Sequence, residues 1–98
     1  MKISEVNIQF IKPNDGLIGF ASLVIDDAFF VGSIAIHQKL DGSGYRLTYP
    51  TKKSQINNRP IFHPIRRDAG ALIEDAIFTK LNNVMRKAHD RHHSAQFE

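Results

Sequence analysis

The 98-residue chain contains no cysteine, so its fold cannot depend on disulfides, zinc–thiolate sites or iron–sulfur clusters, and it has no thiol nucleophile. No apolar run approaches the ~20 residues that a membrane-crossing helix requires, and the first residues lack the apolar core of a signal peptide. Glycine-rich phosphate loops, nucleophile elbows and paired-carboxylate motifs are absent too. We therefore expect a cytoplasmic protein that is not an enzyme, needs no cofactor or metal, and takes no small-molecule substrate.

Acidic residues are missing from one long segment. Between Asp41 and Asp68 the chain runs 26 residues without a carboxylate. This acid-free segment, residues 42–67, has a net charge of +6, whereas the rest of the chain has a net charge of −3. Its six basic residues are Arg46, Lys52, Lys53, Arg59, Arg66 and Arg67. If the fold gathers them on one surface, they form the electrostatic footprint that attracts nucleic-acid phosphates.

The hydrophobic pattern predicts an α+β domain, in which four or five antiparallel strands precede one long C-terminal helix. Apolar residues alternate with polar ones around residues 6–10, as in a half-buried strand. Two apolar runs, 17–25 and 29–36, follow a turn at 13–16 and are separated by Asp26-Asp27, which predicts a tight hairpin.

The middle of the chain is more polar. Residues 45–49 alternate again and predict a half-exposed strand that ends at Pro50. Residues 51–60 are polar and basic and predict a loop, and residues 61–63 predict a short final strand.

From Asp68, the predicted N-cap, apolar residues recur at spacings of three and four as far as Ala88, which is typical of a helix. We therefore assign residues 1–88 to a single domain and residues 89–98 to a frayed polar tail. His89 and His93 stand four residues apart in this tail, a spacing at which a helix would bring two metal ligands together. We expect a solvated chain end there rather than a metal site.

The two long apolar runs are apolar on both faces, but a single helix covers only one face of a sheet. A chain of this size also buries only about 60–65% of the surface that it exposes when unfolded. We therefore expect a homodimer in which the sheets of two subunits meet.

Five short motifs occur in a particular order between about residues 2 and 77. They are ASLVIDDAFFV at 21–31, Ile34, PTKK at 50–53, HPI at 63–65 and I-x-x-A-I at 73–77. In order and spacing the chain resembles the SpoVG family of bacterial septation and sporulation regulators. The resemblance implies a small antiparallel sheet with a packed helix, a dimer that joins sheets, and site-preferring DNA or RNA binding that regulates gene expression.

The chain departs from the family pattern at Gly70, where family members usually carry an arginine near the start of the helix. Arg66 and Arg67 directly follow the HPI motif instead, so the basic group has moved along the chain. A phosphate at this helix start would gain from both arginines and from free N–H groups. The alternative is an ion pair with Asp68 or Asp41.

The other four basic residues are also candidate nucleic-acid contacts. Lys52 and Lys53 match the basic pair of the family and follow the end of a strand, although lysines are usually exposed whatever their function. Arg59 and Arg46 are weaker candidates for nucleic-acid contacts, because each could simply lie beside the sheet.

Three other residues offer further chemistry. Tyr45 and Tyr49 share a strand face, where they would stack on bases or, more commonly for such a stripe, belong to the core. His63 has no nucleophile or carboxylate placed by sequence to work with it, and we expect a structural role.

The sequence thus predicts a dimeric nucleic-acid-binding regulator whose basic surface holds the phosphate backbone. The alternative is a protein-interaction module without nucleic acid. Such a module would bind an acidic partner on the same surface or accept a strand from a partner at an exposed sheet edge.

Overall fold

The computed structural model describes residues 1–53 and 56–95, with side chains described as far as residue 88. The elements, in chain order, are β1 (Ile3–Asn14), β2 (Leu17–Ile25), β3 (Phe29–Gln38), β4 (Tyr45–Thr48), β5 (Thr51–Lys53), β6 (Asn58–Pro60) and α1 (Arg67–Ala95). Strands β1 to β4 form an antiparallel sheet in sequence order, and β5 and β6 form a separate two-stranded sheet. The predicted α+β class, with strands followed by one long helix, is confirmed.

The turn between β2 and β3 lies where the sequence predicts it. Asp26 and Asp27 have φ angles of 53° and 51°, and the Ala28 N–H donates to the Ile25 carbonyl oxygen at 2.9 Å. Positive φ at both central residues is the type I′ geometry, whose twist matches that of the flanking strands. Strand β2 has the predicted bounds, and β3 continues two residues beyond the predicted end at residue 36.

Within the predicted loop, residues 51–53 and 58–60 form strands, and residues 61–63 are not the predicted strand. Strands β5 and β6 pair from Thr51 opposite Pro60 to Lys53 opposite Asn58, and the Ile61 N–H donates to the Pro50 carbonyl oxygen at 2.7 Å. Backbone pairing is possible for polar residues as well as apolar ones. Because all six strand residues are exposed, they show no apolar alternation, so the usual sequence signal for strands is missing.

The hydrophobic core lies between α1 and one face of the four-stranded sheet. Its fully buried members are Leu23, Ile34 and Ile36 from the sheet and Ile77 and Leu81 from the helix. The opposite face, here called the open face, carries no helix among the described residues and includes Phe20 and Phe30. The prediction that a second subunit covers this face stays a prediction.

Helix α1 differs from its prediction at both ends. It begins at Arg67, so Asp68 lies in the first turn rather than at the N-cap, and its carboxylate accepts the Ala69 N–H at 3.0 Å. The helical backbone continues to Ala95, beyond Ala88, where the apolar pattern of the sequence ends. The assignment of residues 1–88 and 89–98 stays a prediction, and the side chains of His89 and His93 lie outside the described residues. The 29 residues of α1 are too polar to span a membrane.

Candidate nucleic-acid interface

The β5–β6 hairpin, residues 51–60 and here called the basic hairpin, brings together three of the six predicted site residues. Lys52 lies directly opposite Arg59, and Lys53 lies opposite Asn58. All three cations are exposed, and within the described residues no acidic side chain forms an ion pair with any of them. Like charges at directly opposed positions destabilise an antiparallel pair. A bound anion would relieve that repulsion, so the hairpin is suited to hold phosphate.

The base of the basic hairpin is fixed to the domain by aromatic packing. The Tyr49 ring, one residue before Pro50, meets the Phe62 ring edge-on with 5.9 Å between centroids. Both side chains are half-buried and pack against the hydrophobic core. At the other end, Lys52, Ile56 and Arg59 line a shallow concavity of about 330 Å³. The cations are therefore carried on an exposed hairpin whose two ends meet at a packed aromatic pair.

Arg66 and Arg67 have different surroundings. The Arg66 guanidinium makes a bidentate ion pair with Asp68, with Nε–Oδ1 at 3.0 Å and Nη2–Oδ2 at 2.5 Å. Arg67 is the first residue of α1 and is exposed, and it forms no ion pair with the described acidic residues. The ion-pair alternative therefore holds for Arg66, and Arg67 is the more available of the two for a phosphate.

Gly70 lies in the first turn of α1, beside Pro64. A Cβ atom at this position would lie 3.5 Å from Pro64 Cγ, which is ordinary van der Waals contact. There is therefore room for a Cβ atom, and the fold does not require glycine here.

Arg46 lies on β4, directly opposite His37 of β3. Burial lowers the pKa of His37, and the positive charge of Arg46 lowers it further. Asp15 and Asp41 line the same surface concavity as Arg46 and His37. Because Arg46 is flanked by acids, unlike the cations of the hairpin, it is less suited to bind phosphate.

The two tyrosines belong to the core side of the sheet. Tyr45 packs against Phe78 of α1 with 6.3 Å between ring centroids, and Tyr49 contacts Phe62. Of the two roles that the sequence allows for these tyrosines, the structure shows core packing, and neither ring is presented for base stacking. His63 is exposed, and its Nδ1 lies 3.0 Å from the Pro64 carbonyl oxygen.

Two aromatic residues of the open face, Phe20 and Phe30, are not among the predicted site residues. The signal for them was present in the sequence, because β2 and β3 are apolar at positions that point to both faces. Sequence alone does not say which face the helix covers.

Comparison with known proteins gives consistent matches. The SpoVG family model matches residues 1–83. A Phytoplasma australiense protein is 33% identical over 87 residues, which cover 87% of this chain and 88% of that protein. A Bdellovibrio bacteriovorus protein is 34% identical over 79 residues, covering 80% and 70% of the two chains. Both relatives carry the name "Putative septation protein SpoVG". The sheet-and-helix fold, the order of the motifs and these matches show that the chain belongs to the SpoVG family.

Proposed function

We propose that this protein is a regulatory nucleic-acid-binding protein that acts as a homodimer and holds the phosphate backbone of DNA or RNA. The observation that carries the proposal is the basic hairpin, where Lys52 and Arg59 are opposed without a neutralising acid among the described residues. Lys53 and Arg67 add two further exposed cations. The names of the relatives refer to septation, and we propose a regulatory role in that process and in sporulation.

Phosphate contacts of this kind supply affinity without reading sequence. Each neutralised phosphate releases condensed counterions, so affinity falls as salt rises. If the two subunits of a dimer both contact one duplex, the number of cations in the interface doubles. Site preference would then come from the few contacts that reach base edges or respond to the shape of the duplex.

Support for the homodimer comes from an uncovered sheet edge. Strand β4 pairs only with residues 35–38 of β3. Within the described residues, no strand pairs with residues 29–34 on that side. An unpaired edge of this length is a template for a strand from another chain. We propose that the partner is the same edge of a second copy.

The salt dependence of binding tests the proposed function. The full chain is titrated against labelled duplex DNA, single-stranded DNA and RNA by fluorescence anisotropy at several salt concentrations. For four to six phosphate contacts, the slope of log affinity against log salt on duplex DNA is expected between about −3.6 and −5.4. Absence of binding to all three at low salt would contradict the proposal and direct attention to a protein partner.

The dimer is tested by sedimentation velocity together with amide hydrogen exchange. We expect a species of twice the 11.1 kDa chain mass at high concentration. In the same samples, those amides of residues 29–34 that point away from β2 should become protected as concentration rises, because they gain partners across the edge. A dimer that leaves these amides unprotected would place the interface elsewhere, and a monomer throughout would contradict the homodimer.

The uncovered edge also supports a second candidate function. A strand donated by a different protein would complete the same backbone ladder by β-augmentation. Such binding depends mainly on backbone hydrogen bonds and would survive high salt, whereas binding to the basic hairpin would not.

A further inference from the structure

The open face of the sheet contains a shallow groove of about 480 Å³. Two phenylalanines, Phe20 and Phe30, line it together with amide and hydroxyl side chains, among them Asn7, Gln9 and Ser22. None of the residues that line the groove carries a charge. It is therefore an aromatic surface surrounded by neutral donors and acceptors.

Phe30 is more exposed than Phe20, the other aromatic residue of the groove. Its side chain is 73% exposed, compared with 37% for Phe20. The ring reaches over the backbone of Gly32, where a Cβ atom would lie only 3.3 Å from Phe30 Cε1. Glycine at 32 thus gives the ring room to lie close to the strand, where it forms a surface rather than an isolated side chain.

This chemistry fits unpaired bases better than a second copy of the chain. The buried centres of protein–protein interfaces are poor in serine, whereas this groove contains Ser22 and Ser33 beside two amides. Single-stranded nucleic acid combines flat faces that stack on aromatic rings with polar edges that exchange hydrogen bonds. Amide and hydroxyl groups can meet those edges as donors or acceptors.

The groove lies near the basic hairpin. Phe20, Ala35 and Thr48 occupy one row across β2, β3 and β4. With strands ~4.8 Å apart, this row places the Thr48 backbone about 10 Å from that of Phe20. Lys52 follows Thr48 by four residues, a reach of at most about 14 Å of chain. A strand of a few nucleotides is therefore long enough to span the distance from the groove to the hairpin.

We infer that the open face binds the unpaired bases of single-stranded nucleic acid, with Phe20 and Phe30 as stacking platforms and the basic hairpin holding the adjoining phosphates. The inference rests on the proposed nucleic-acid-binding function and specifies its ligand. Stacking does not involve the sugar, so short single-stranded DNA and RNA should bind comparably through this face.

Phe30→Ala tests the inference, and Phe29→Ala is its matched control. Phe29 is 68% exposed and adjacent in sequence, but pairs with Ile25 on the other face of the strand. Binding is measured by anisotropy with two probes of equal length, an ordinary single-stranded oligonucleotide and one made entirely of abasic sites. The abasic probe keeps the phosphates and lacks the bases.

We expect Phe30→Ala to weaken binding of the ordinary oligonucleotide about 5- to 100-fold, while binding of the abasic probe stays within twofold. Phe30→Tyr, which keeps the ring, should retain affinity, and Phe29→Ala should change neither probe. Equal effects of Phe29→Ala and Phe30→Ala on the ordinary probe would overturn the inference. So would wild-type binding that does not distinguish the two probes, although the proposed phosphate-binding function would survive that result.

Two other outcomes also count against the inference. If Phe30→Ala abolishes a dimer seen by sedimentation while Phe29→Ala, at the same sheet edge, keeps it, the open face is covered by a second copy. If the wild-type chain binds neither probe at low salt, the proposed function fails and the inference fails with it. Circular dichroism of each variant shows whether the fold is retained, and the comparison of the two probes on the wild-type chain still tests the inference if Phe30→Ala does not fold.

Discussion

Lys52 and Arg59 face each other across the β5–β6 ladder, two cations at directly opposed positions of an exposed hairpin. A cross-strand pair of like charge raises the free energy of the hairpin when nothing is bound. The same pair lowers the free energy of a complex with an anion, because both side chains can contact one stretch of phosphate backbone. The opposed pair is therefore less stable in the free protein than it would be with an anion bound.

Replacing both members of this pair tests the basic hairpin directly. Lys52→Ala with Arg59→Ala should weaken binding to all nucleic-acid sequences similarly. It should also make the slope of log affinity against log salt shallower by up to about 1.8 for each subunit in contact with the nucleic acid, which corresponds to two phosphate contacts per subunit. Thermal stability should not fall, because the change removes repulsion. Lys80→Ala, a change at an exposed lysine of α1, is the control and should leave the slope unaltered.

A charge reversal separates binding from folding at the same position. Lys52→Glu would place opposite charges across the ladder and should keep or raise the melting temperature while it abolishes most binding. Unchanged affinity in Lys52→Glu would show that the hairpin is not the contact surface.

The Arg66–Asp68 ion pair leads to the second prediction. Asp68→Asn should raise nucleic-acid affinity several-fold, because it removes a negative charge and releases the Arg66 guanidinium from its bidentate contact. The free energy of unfolding should change by less than about 1 kcal/mol, since exposed pairs contribute little. Asp75→Asn makes the same charge change on an exposed helix position and is the control. An equal rise in affinity in both variants would show a general charge effect rather than release of Arg66.

The buried hydroxyl of Tyr49 leads to the third prediction. Burial raises the pKa of Tyr49, and the negative charge of Glu74 raises it further. Within the described residues, the Tyr49 hydroxyl has no hydrogen-bond partner. Tyr49→Phe should therefore increase the free energy of unfolding by about 1 kcal/mol, measured by urea denaturation, because it removes an unsatisfied polar group and keeps the ring. Tyr45→Phe is the matched control, and a loss of stability in Tyr49→Phe would reveal a partner for the hydroxyl in solution.

The fourth prediction concerns His37. Its pKa is lowered from the ordinary 6.5, first by burial and then by Arg46. As pH falls below 6.5, the unfolded chain takes up this proton more readily than the folded chain. The contribution of His37 to stability is therefore fully present above pH 6.5 and is lost as pH falls through the folded pKa.

Arg46→Gln should raise the pKa of His37 in the folded protein, as measured by NMR titration of the imidazole ring. Burial remains in the variant, so the pKa should stay below the ordinary value. Asp15 and Asp41 line the same concavity and are unchanged in it. Arg86→Gln, a change at an exposed arginine of α1, should leave the His37 titration unaltered. If Arg46→Gln also leaves it unaltered, the guanidinium does not act on His37 in solution.

The two apolar strands and the helix were predictable from sequence because burial imposes a periodicity on them. Strand β2 has its predicted bounds, and the turn at Asp26-Asp27 needs only local geometry. The sequence does not predict the basic hairpin as a hairpin. All of its strand residues are exposed, so apolar and polar residues do not alternate along its strands. The charge of that segment was nevertheless evident from the absence of acids over residues 42–67.

The sequence by itself determined the charge of the acid-free segment, the apolar strands and the residues that a helix would bury. Only the tertiary structure decided which cations act together. It opposed Lys52 to Arg59, occupied Arg66 with Asp68, and placed Arg46 near acids. It also decided that Tyr45 and Tyr49 face the core, whereas Phe20 and Phe30 face outward. The reason is that charge pairing and exposure depend on distances between residues far apart in the chain, which periodicity does not encode.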